Sequence, residues 1–549
     1  MASFYAQTTY TWIGGNGAWN VASNWSPTRT TPATTDVLEF NDGGTYTVTA
    51  VPVQTIRQLL VTNNTFVTLN AATAGNTLTI TGPSGDTNFL IEEGSTLDNR
   101  GSGNYIQLTL TSVTGGQFAE ISGTLDWKGS GVTATGTLNL QTAGANVTTV
   151  TSTGVINHHS GTISSAINRL VFEEDATYNY LGTSTALTVP TASWDANSNV
   201  NITGVTNGVP AGLSQNFGKI LWDCANQSAA INLATFPISV TSFEVRNTNN
   251  QVVANNFGTR NWTTNGTGDL LITGGRFAVR GTLTTSVTLT INNLIINNEN
   301  NNSAQLIINN GTNTTTNAVT LNVAGNLSLN LAQNSAHTNV VEYRGVSGIT
   351  EVINLTGNFS QTGTGSGRIG RTNTVGTHNF VFSNGNTTYS ASRDDIFGTL
   401  TTINVTGATV DFGNHTLNYT GNFALTNAAA HAIFGANAIL NNTGTFTTWA
   451  SAGSTLSIGS QDGIATTGAT GNIRSSGIRT YHANSNYIFT GTNGQVTGNG
   501  CPANVTASIT VNLQNFSDQL TVTNANAIGA AGTMRLVSGS LANAITYNA

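Results

Sequence analysis

Residues 319–331 limit what this chain can fold into more than any other stretch. Val319, Leu321 and Val323 alternate with Thr320 and Asn322, and after Ala324-Gly325-Asn326 the pattern resumes with Leu327, Leu329 and Leu331 around Ser328 and Asn330. A period of two puts alternate side chains on opposite faces of a strand, so one apolar face is buried. Gly and Asn tolerate the positive φ of a tight bend. The unit returns as Gly136-Thr137-Leu138-Asn139-Leu140, Gly281-Thr282-Leu283, Gly357-Asn358-Phe359, Gly421-Asn422-Phe423, Gly444-Thr445-Phe446 and Gly532-Thr533-Met534. A strand-and-bend unit repeated in this way predicts short strands wound into a coil whose turns share one core. The expected fold is all-β: a long parallel β-helix or β-solenoid, right-handed by the usual crossover rule, with an N-terminal cap and irregular insertions.

Composition excludes several alternatives. Only 7% of the 549 residues are charged, against roughly 25% in ordinary domains. Apolar residues still make up 38% and are placed periodically, so the low charge does not signal disorder. A net charge of -7 with no Lys/Arg cluster argues against nucleic acid as a partner. No apolar run is long enough for a membrane-spanning helix, so no membrane insertion is expected. Cys224 and Cys501 form no metal or redox motif. With roughly 20–25 residues and about 4.8 Å of rise per turn, they lie about a dozen turns apart, beyond the reach of a disulfide. Both read as small apolar residues of the stack.

The chain divides, in this reading, into a cap with a first strand (1–45), three solenoid parts (46–215, 216–335 and 397–549) and a looped, more charged section of the solenoid (336–396). Residues 1–7 read as a disordered start or the tail of a signal peptide cut near Ala6. Trp12, Trp19 and Trp25, set among Gly, Asn and Ser, are expected to cover the open end of the coil; stacking on sugar rings is the alternative. Pro190 and Pro210 in an irregular stretch mark the boundary near 215. Asn292-Asn293, Asn297-Asn298 and Asn309-Asn310 follow strands directly. They read equally as turn residues and as a stacked ladder of side-chain amides. Section 336–396 holds Arg344, Arg368, Arg371, Arg393, Asp394 and Asp395.

Several segments carry a resemblance. Trp12-Ile13-Gly14-Gly15, Trp19-Asn20, Ser23-Asn24-Trp25-Ser26-Pro27 and Asp36-Val37-Leu38-Glu39-Phe40 resemble the start of many large secreted surface proteins of Bacteroidetes. Residues 218–228, 457–464, 468–473 and 495–500 look like further signatures of that group. The resemblance is diffuse, covers most of the chain, and rests on structural motifs. It implies export by type IX secretion and an adhesin-like role at the cell surface. Members usually carry a C-terminal sorting domain, which is not found here; the chain ends inside a repeat, which reads either as a fragment of a longer protein or as a departure from the family's pattern.

Chemistry is considered and set aside. Asp394-Asp395 beside Arg393, and Glu173-Glu174-Asp175, suggest the calcium and basic residue of a polysaccharide lyase. However, neighbours on a strand point to opposite faces and make poor joint ligands. His158-His159 fails as a zinc pair for the same reason. Thr77, Thr79 and Thr81 share a face, but an ice-binding surface needs the motif in successive turns. No catalytic, cofactor-binding or metal-ligating residue is assigned, and the chain is read as a non-enzymatic, secreted structural or adhesive protein that forms or joins a filament. The expected partners are further copies, packed head-to-tail or side by side, and a polysaccharide or surface ligand. A carbohydrate-binding protein or polysaccharide lyase on a β-helix scaffold is the alternative. Because residues 533–549 contain nothing cap-like, that end is expected to be completed by a following domain or another copy.

Overall fold

In the computed structural model, residues 8–542 are described apart from 84–85, 100–103, 112–115, 129–135, 141–145, 184–186, 265–266, 300–302, 312–316, 346–347, 374, 493, 524–526, 529–531 and 539. The expected signal-peptide tail at 1–7 and the last part of the expected open end, 543–549, lie outside them. The described residues are all-β: short parallel strands stacked as a solenoid, with only single 3-10 turns at Ala22–Asn24 and Trp262–Thr264. Two compact units are present, residues 1–253 with 264–268, and residues 254–263 with 269–549.

The first unit has three walls. Thr9–Trp12, Val37–Phe40, Gln58–Val61, Phe89–Ile91, Gly116–Ile121, Asn146–Val150, Leu170–Phe172 and Ser193–Trp194 form one. Thr45–Val51 through Thr96–Asp98 and Val155–His158 to Ser242–Asn247 form the second, and Gln54–Ile56 to Thr162–Ser164 the third. Register carries from turn to turn: Leu59, Phe89 and Ala119 are Cα partners in successive turns, as are Tyr178, Val200 and Ile220, with shifts at Val48/Val51, Gln117/Ala119 and Trp222/Asp223. The rung length is therefore 30 residues at Phe89 and about 20 near Ile220. The expected 20–25 residues hold for some rungs only, such as Leu38 to Leu59 at 21, because corner excursions of different length lie between the strands. Parallel pairing carries on through the proline-bearing stretch, with Asn199–Ile202 beside Lys219–Asp223.

At the start, Thr9–Trp12 pairs antiparallel with Trp25–Ser26 and parallel with Val37–Phe40. Trp12, Trp19 and Trp25 are each 1% exposed. Their rings meet edge to face at 4.9 and 5.2 Å, and Trp25 lies 5.7 Å from Phe40. Each indole N–H is satisfied, on Gly15 O, Gln54 Oε1 and Trp19 O respectively. Arg29 and Asp36 form a buried pair beneath, with Nε donating to Oδ2 at 2.8 Å. The tryptophan rings are buried against one another and offer no face to a sugar.

In the second unit the stretch 319–331 sits as its pattern requires. Val319, Leu321, Val323, Leu327, Leu329 and Leu331 are buried, while Thr320 and Ser328 face outward, half-covered. Ala318–Val323 lies between Val287–Ile291 and Thr350–Leu355, and Leu327–Asn330 between Leu294–Asn297 and Phe359–Thr362. The corner needs glycine for space: a Cβ on Gly325 would come within 2.5 Å of Asn293 Oδ1 and 2.7 Å of Asn292 Oδ1. Its φ is not among the positive ones, so close approach, and not the left-handed backbone, selects it. Residues 336–396, expected to loop out, are laid into the ladder as Asn339–Tyr343, Thr350–Leu355, Phe359–Thr362, Arg368–Arg371 and Thr377–Ala391. Among their charges Arg344 pairs with Glu342, and Arg368 and Arg393 with Asp395, which the sequence pattern does not display.

Candidate functional site: a polar groove on the second unit

Of the residues set aside as weak catalytic candidates, Arg393 and Asp395 meet as an ion pair at 2.7 Å, and the others do not gather into a site. Glu173, Glu174 and Asp175 are exposed on a turn. His158 points into the core, where Nδ1 is 2.7 Å from the Tyr178 hydroxyl and Nε2 3.3 Å from Gly161 O, while His159 is half-exposed on the other face. Burial lowers the His158 pKa from 6.5 to about 4, aided by the neighbouring His159 and opposed by the hydrogen bond to Gly161. Cys224 and Cys501 are both buried free thiols; burial pushes Cys224 up to about 12, so it behaves as an apolar side chain. Among the described residues no three His, Cys, Asp or Glu side chains gather as a metal site would require.

An ionic cluster that alternation alone passes over lies inside the second unit. Glu351 and His378 are wholly buried, with Oε2 and Nδ1 2.8 Å apart. Glu351 also accepts from the backbone N–H of Gly345 at 2.7 Å and of Arg344 at 3.3 Å. Arg280, likewise buried, donates to Asn309 Oδ1 at 2.9 Å. The signal was in the sequence: Glu351, Ile353 and Leu355 share the core phase of Thr350–Leu355, so a carboxylate stands where an apolar residue belongs. Closed off from solvent, the cluster orders the rungs and cannot meet a ligand.

A groove of about 580 Å³ opens to solvent on the second unit, lined by residues of successive rungs from Thr338 to Ser476. Backbone bonds fix their order: Gly398 donates to Ile369 O at 2.8 Å, Thr420 to Gly398 O at 3.1 Å, Thr443 to Tyr419 O at 3.2 Å and Ser476 to Asn442 O at 2.9 Å. Arg368 holds Asp395 through Nη2 and Oδ2 at 2.6 Å, and Arg393 holds its other oxygen at 2.7 Å. Burial alone would raise the Asp395 pKa; the two guanidiniums outweigh it and keep the carboxyl below its ordinary value. Asn441 Nδ2 donates to Asn418 Oδ1 at 2.9 Å. Tyr419 and Phe397 are buried beneath, and the Tyr419 hydroxyl donates to Asn422 O at 2.7 Å. The groove presents amides, hydroxyls, the Arg368–Asp395 pair and Arg371. Of the residues weighed from sequence, Arg368, Arg371 and Asp395 line it, with Arg393 bound to Asp395 behind. Asn418 and Asn441 were missed because nothing in their local pattern reveals which rungs they join.

No family model matches this chain, and no curated protein and no solved structure does so either.

Proposed function

We propose that the chain is a secreted structural and adhesive element of the bacterial cell surface, exported by type IX secretion, which forms or joins a filament and makes many weak polar contacts through its walls. The observation that carries this reading is how the outward side chains are used. On the second wall of the first unit, Asn157 donates to Asp126 at 2.5 Å, Asn179 to Asn157 at 2.7 Å and Asn201 to Asn179 at 2.9 Å. In the second unit Asn322 donates to Thr290 and Asn354 to Asn322. Apart from the Asp126 carboxylate at the head of the first, such ladders tie each rung to the next with uncharged amides and hydroxyls. The wall is stiff without carrying a charge that would repel neighbouring copies. The likeness of the segments at 9–40, 218–228 and 457–500 to secreted Bacteroidetes surface proteins supports the same reading.

The test is localisation and attachment in the native host. Surface proteolysis of intact cells should remove the chain, and cells lacking it should attach less to surfaces or to one another. A chain protected inside intact cells overturns the reading. So does a purified chain that cleaves polysaccharide to unsaturated sugar products, which would favour a lyase.

A further inference from the structure

We propose that the groove across residues 368–476 binds an extended, uncharged glycan, laid along the stack so that successive sugars meet successive rungs. The proposal deepens the adhesive reading, on which it rests for the ligand's being outside the cell. Three observations carry it. The groove follows the stacking direction, where rungs repeat every 4.8 Å or so, close to the length of one sugar in an extended glycan. Its open groups are those that bond sugar hydroxyls: the Asn418 and Asn441 amides, the Thr420 and Thr443 side chains, and the Arg368–Asp395 pair, whose members are 45% and 39% exposed. Asp395 is shared by Arg368 and Arg393 and Arg371 is itself engaged, so the groove keeps a small positive excess, but its amides and hydroxyls outnumber its charged groups, which favours a chain bound through its hydroxyls. The buried rings of Phe397 and Tyr419, 2% and 6% exposed, give no stacking platform, so hydrogen bonds set the affinity and binding at each groove is weak. Repetition of copies on a surface would supply avidity.

Gly398 makes the groove testable. A Cβ there would meet Arg368 Cδ and Ile369 O at 3.6 Å, an ordinary contact, so Gly398→Trp can fill the groove while leaving its backbone bonds in place. Affinity electrophoresis of the full chain in gels containing soluble neutral β-glucan, mannan or xylan should retard the wild type with at least one of them. Gly398→Trp should abolish the retardation. Asn441→Ala should weaken it about three- to tenfold, the loss of roughly one hydrogen bond, and Thr320→Trp, on another wall, should leave it unchanged. Unchanged circular dichroism spectra and melting temperatures confirm that the variants fold. Retardation by none of the neutral glycans, retardation only by an acidic polysaccharide or a peptide, or equal retardation of Gly398→Trp overturns the proposal. If cells carrying Gly398→Trp still attach as the wild type does, the groove proposal fails while the adhesive reading stands; if wild-type cells show no attachment, the adhesive reading fails by itself.

Discussion

Leu327 shows what a single position does in this fold. Its side chain is fully buried, between Leu294 on one rung and Phe359 on the next. Leu327→Asp places a carboxylate in that stack without a partner and should destabilise the second unit by about 4 kcal/mol or more, read from the urea midpoint. Thr320→Ala, half-exposed on the outward face, should cost under about 1 kcal/mol. A Leu327→Asp chain that unfolds with the wild type would overturn the assignment of faces. His158 gives a second test, by pH. Its pKa is lowered from 6.5 to about 4 in the fold, so the unfolded chain binds the extra proton first. Its neutral form is accommodated at no penalty above pH 6.5, and stability falls as pH drops from 6.5 toward 4, by up to about 3 kcal/mol at 1.36 kcal/mol per unit. His337 and His431 are lowered too, chiefly by burial, and tilt the profile the same way. The informative quantity is thus the difference between wild type and His158→Gln, which should shrink as the pH is lowered; a difference constant from pH 7 to 4 would reject the buried neutral histidine. Residue by residue, the alternation of apolar and polar positions was enough to place Leu321, Val323, Leu327 and Leu329 inside. It puts Glu351 in the core phase too but could not give its partner His378, because period-two reading records phase and is silent on which buried groups face each other across rungs.

Among the elements, the ladders decide how one rung registers on the next. Asn179 both donates to Asn157 and accepts from Asn201, whereas Asn201 only donates. Asn179→Ala therefore breaks two bonds and Asn201→Ala one. At about 1 kcal/mol each, the first should cost roughly twice the second in thermal or urea unfolding. Equal losses would mean that the amides are solvated turn residues with no mutual bonding. At the corners asparagine bonds to backbone instead. Asn293, Asn326 and Asn358 each accept, through Oδ1, a backbone N–H of the following rung, from Asn326, Asn358 and Thr388 at 2.8–2.9 Å. The corner pairs singled out from the sequence form no amide ladder, since Asn293 bonds to Asp269 and to the backbone of Asn326 and Asn298 to the backbone of Gln333; the ladders run on the walls, through other asparagines. What the sequence concealed was rung length. Val287 pairs with Val319, 32 residues on, but Tyr487 pairs with Ile509, only 22 on. Corner excursions can grow or shrink without disturbing the alternation inside a strand, so periodicity within strands carries no measure of the distance between them. The groove depends on that hidden register, since its Asn418 and Asn441 come from strands joined only through the pairing of Thr416–Leu425 with Ile439–Asn442.

At the scale of the whole molecule, the scarcity of charge sets how stability should respond to solution conditions. The chain has 17 basic and 24 acidic residues, and several of those are consumed locally, as in Arg29–Asp36, Glu351–His378 and Arg393–Asp395. The buried pairs are shielded from ions by the protein around them, and exposed pairs such as Arg368–Asp395 contribute little to stability, about 0–1 kcal/mol each. Between rungs the stabilising contacts are apolar stacks, backbone ladders and uncharged amide bonds, none of which is screened by salt. Circular dichroism of the intact chain should accordingly show strand with helix below roughly a tenth, far under the usual third. At pH 7 its urea midpoint should change little between 10 mM and 0.5 M sodium chloride. The buried histidines supply the contrast, because near pH 4 they make the same chain less stable at either salt concentration. A large loss of stability on adding salt at neutral pH would show that surface ion pairs hold the rungs together. The amide ladders would then follow from the stacking and would not be among its causes.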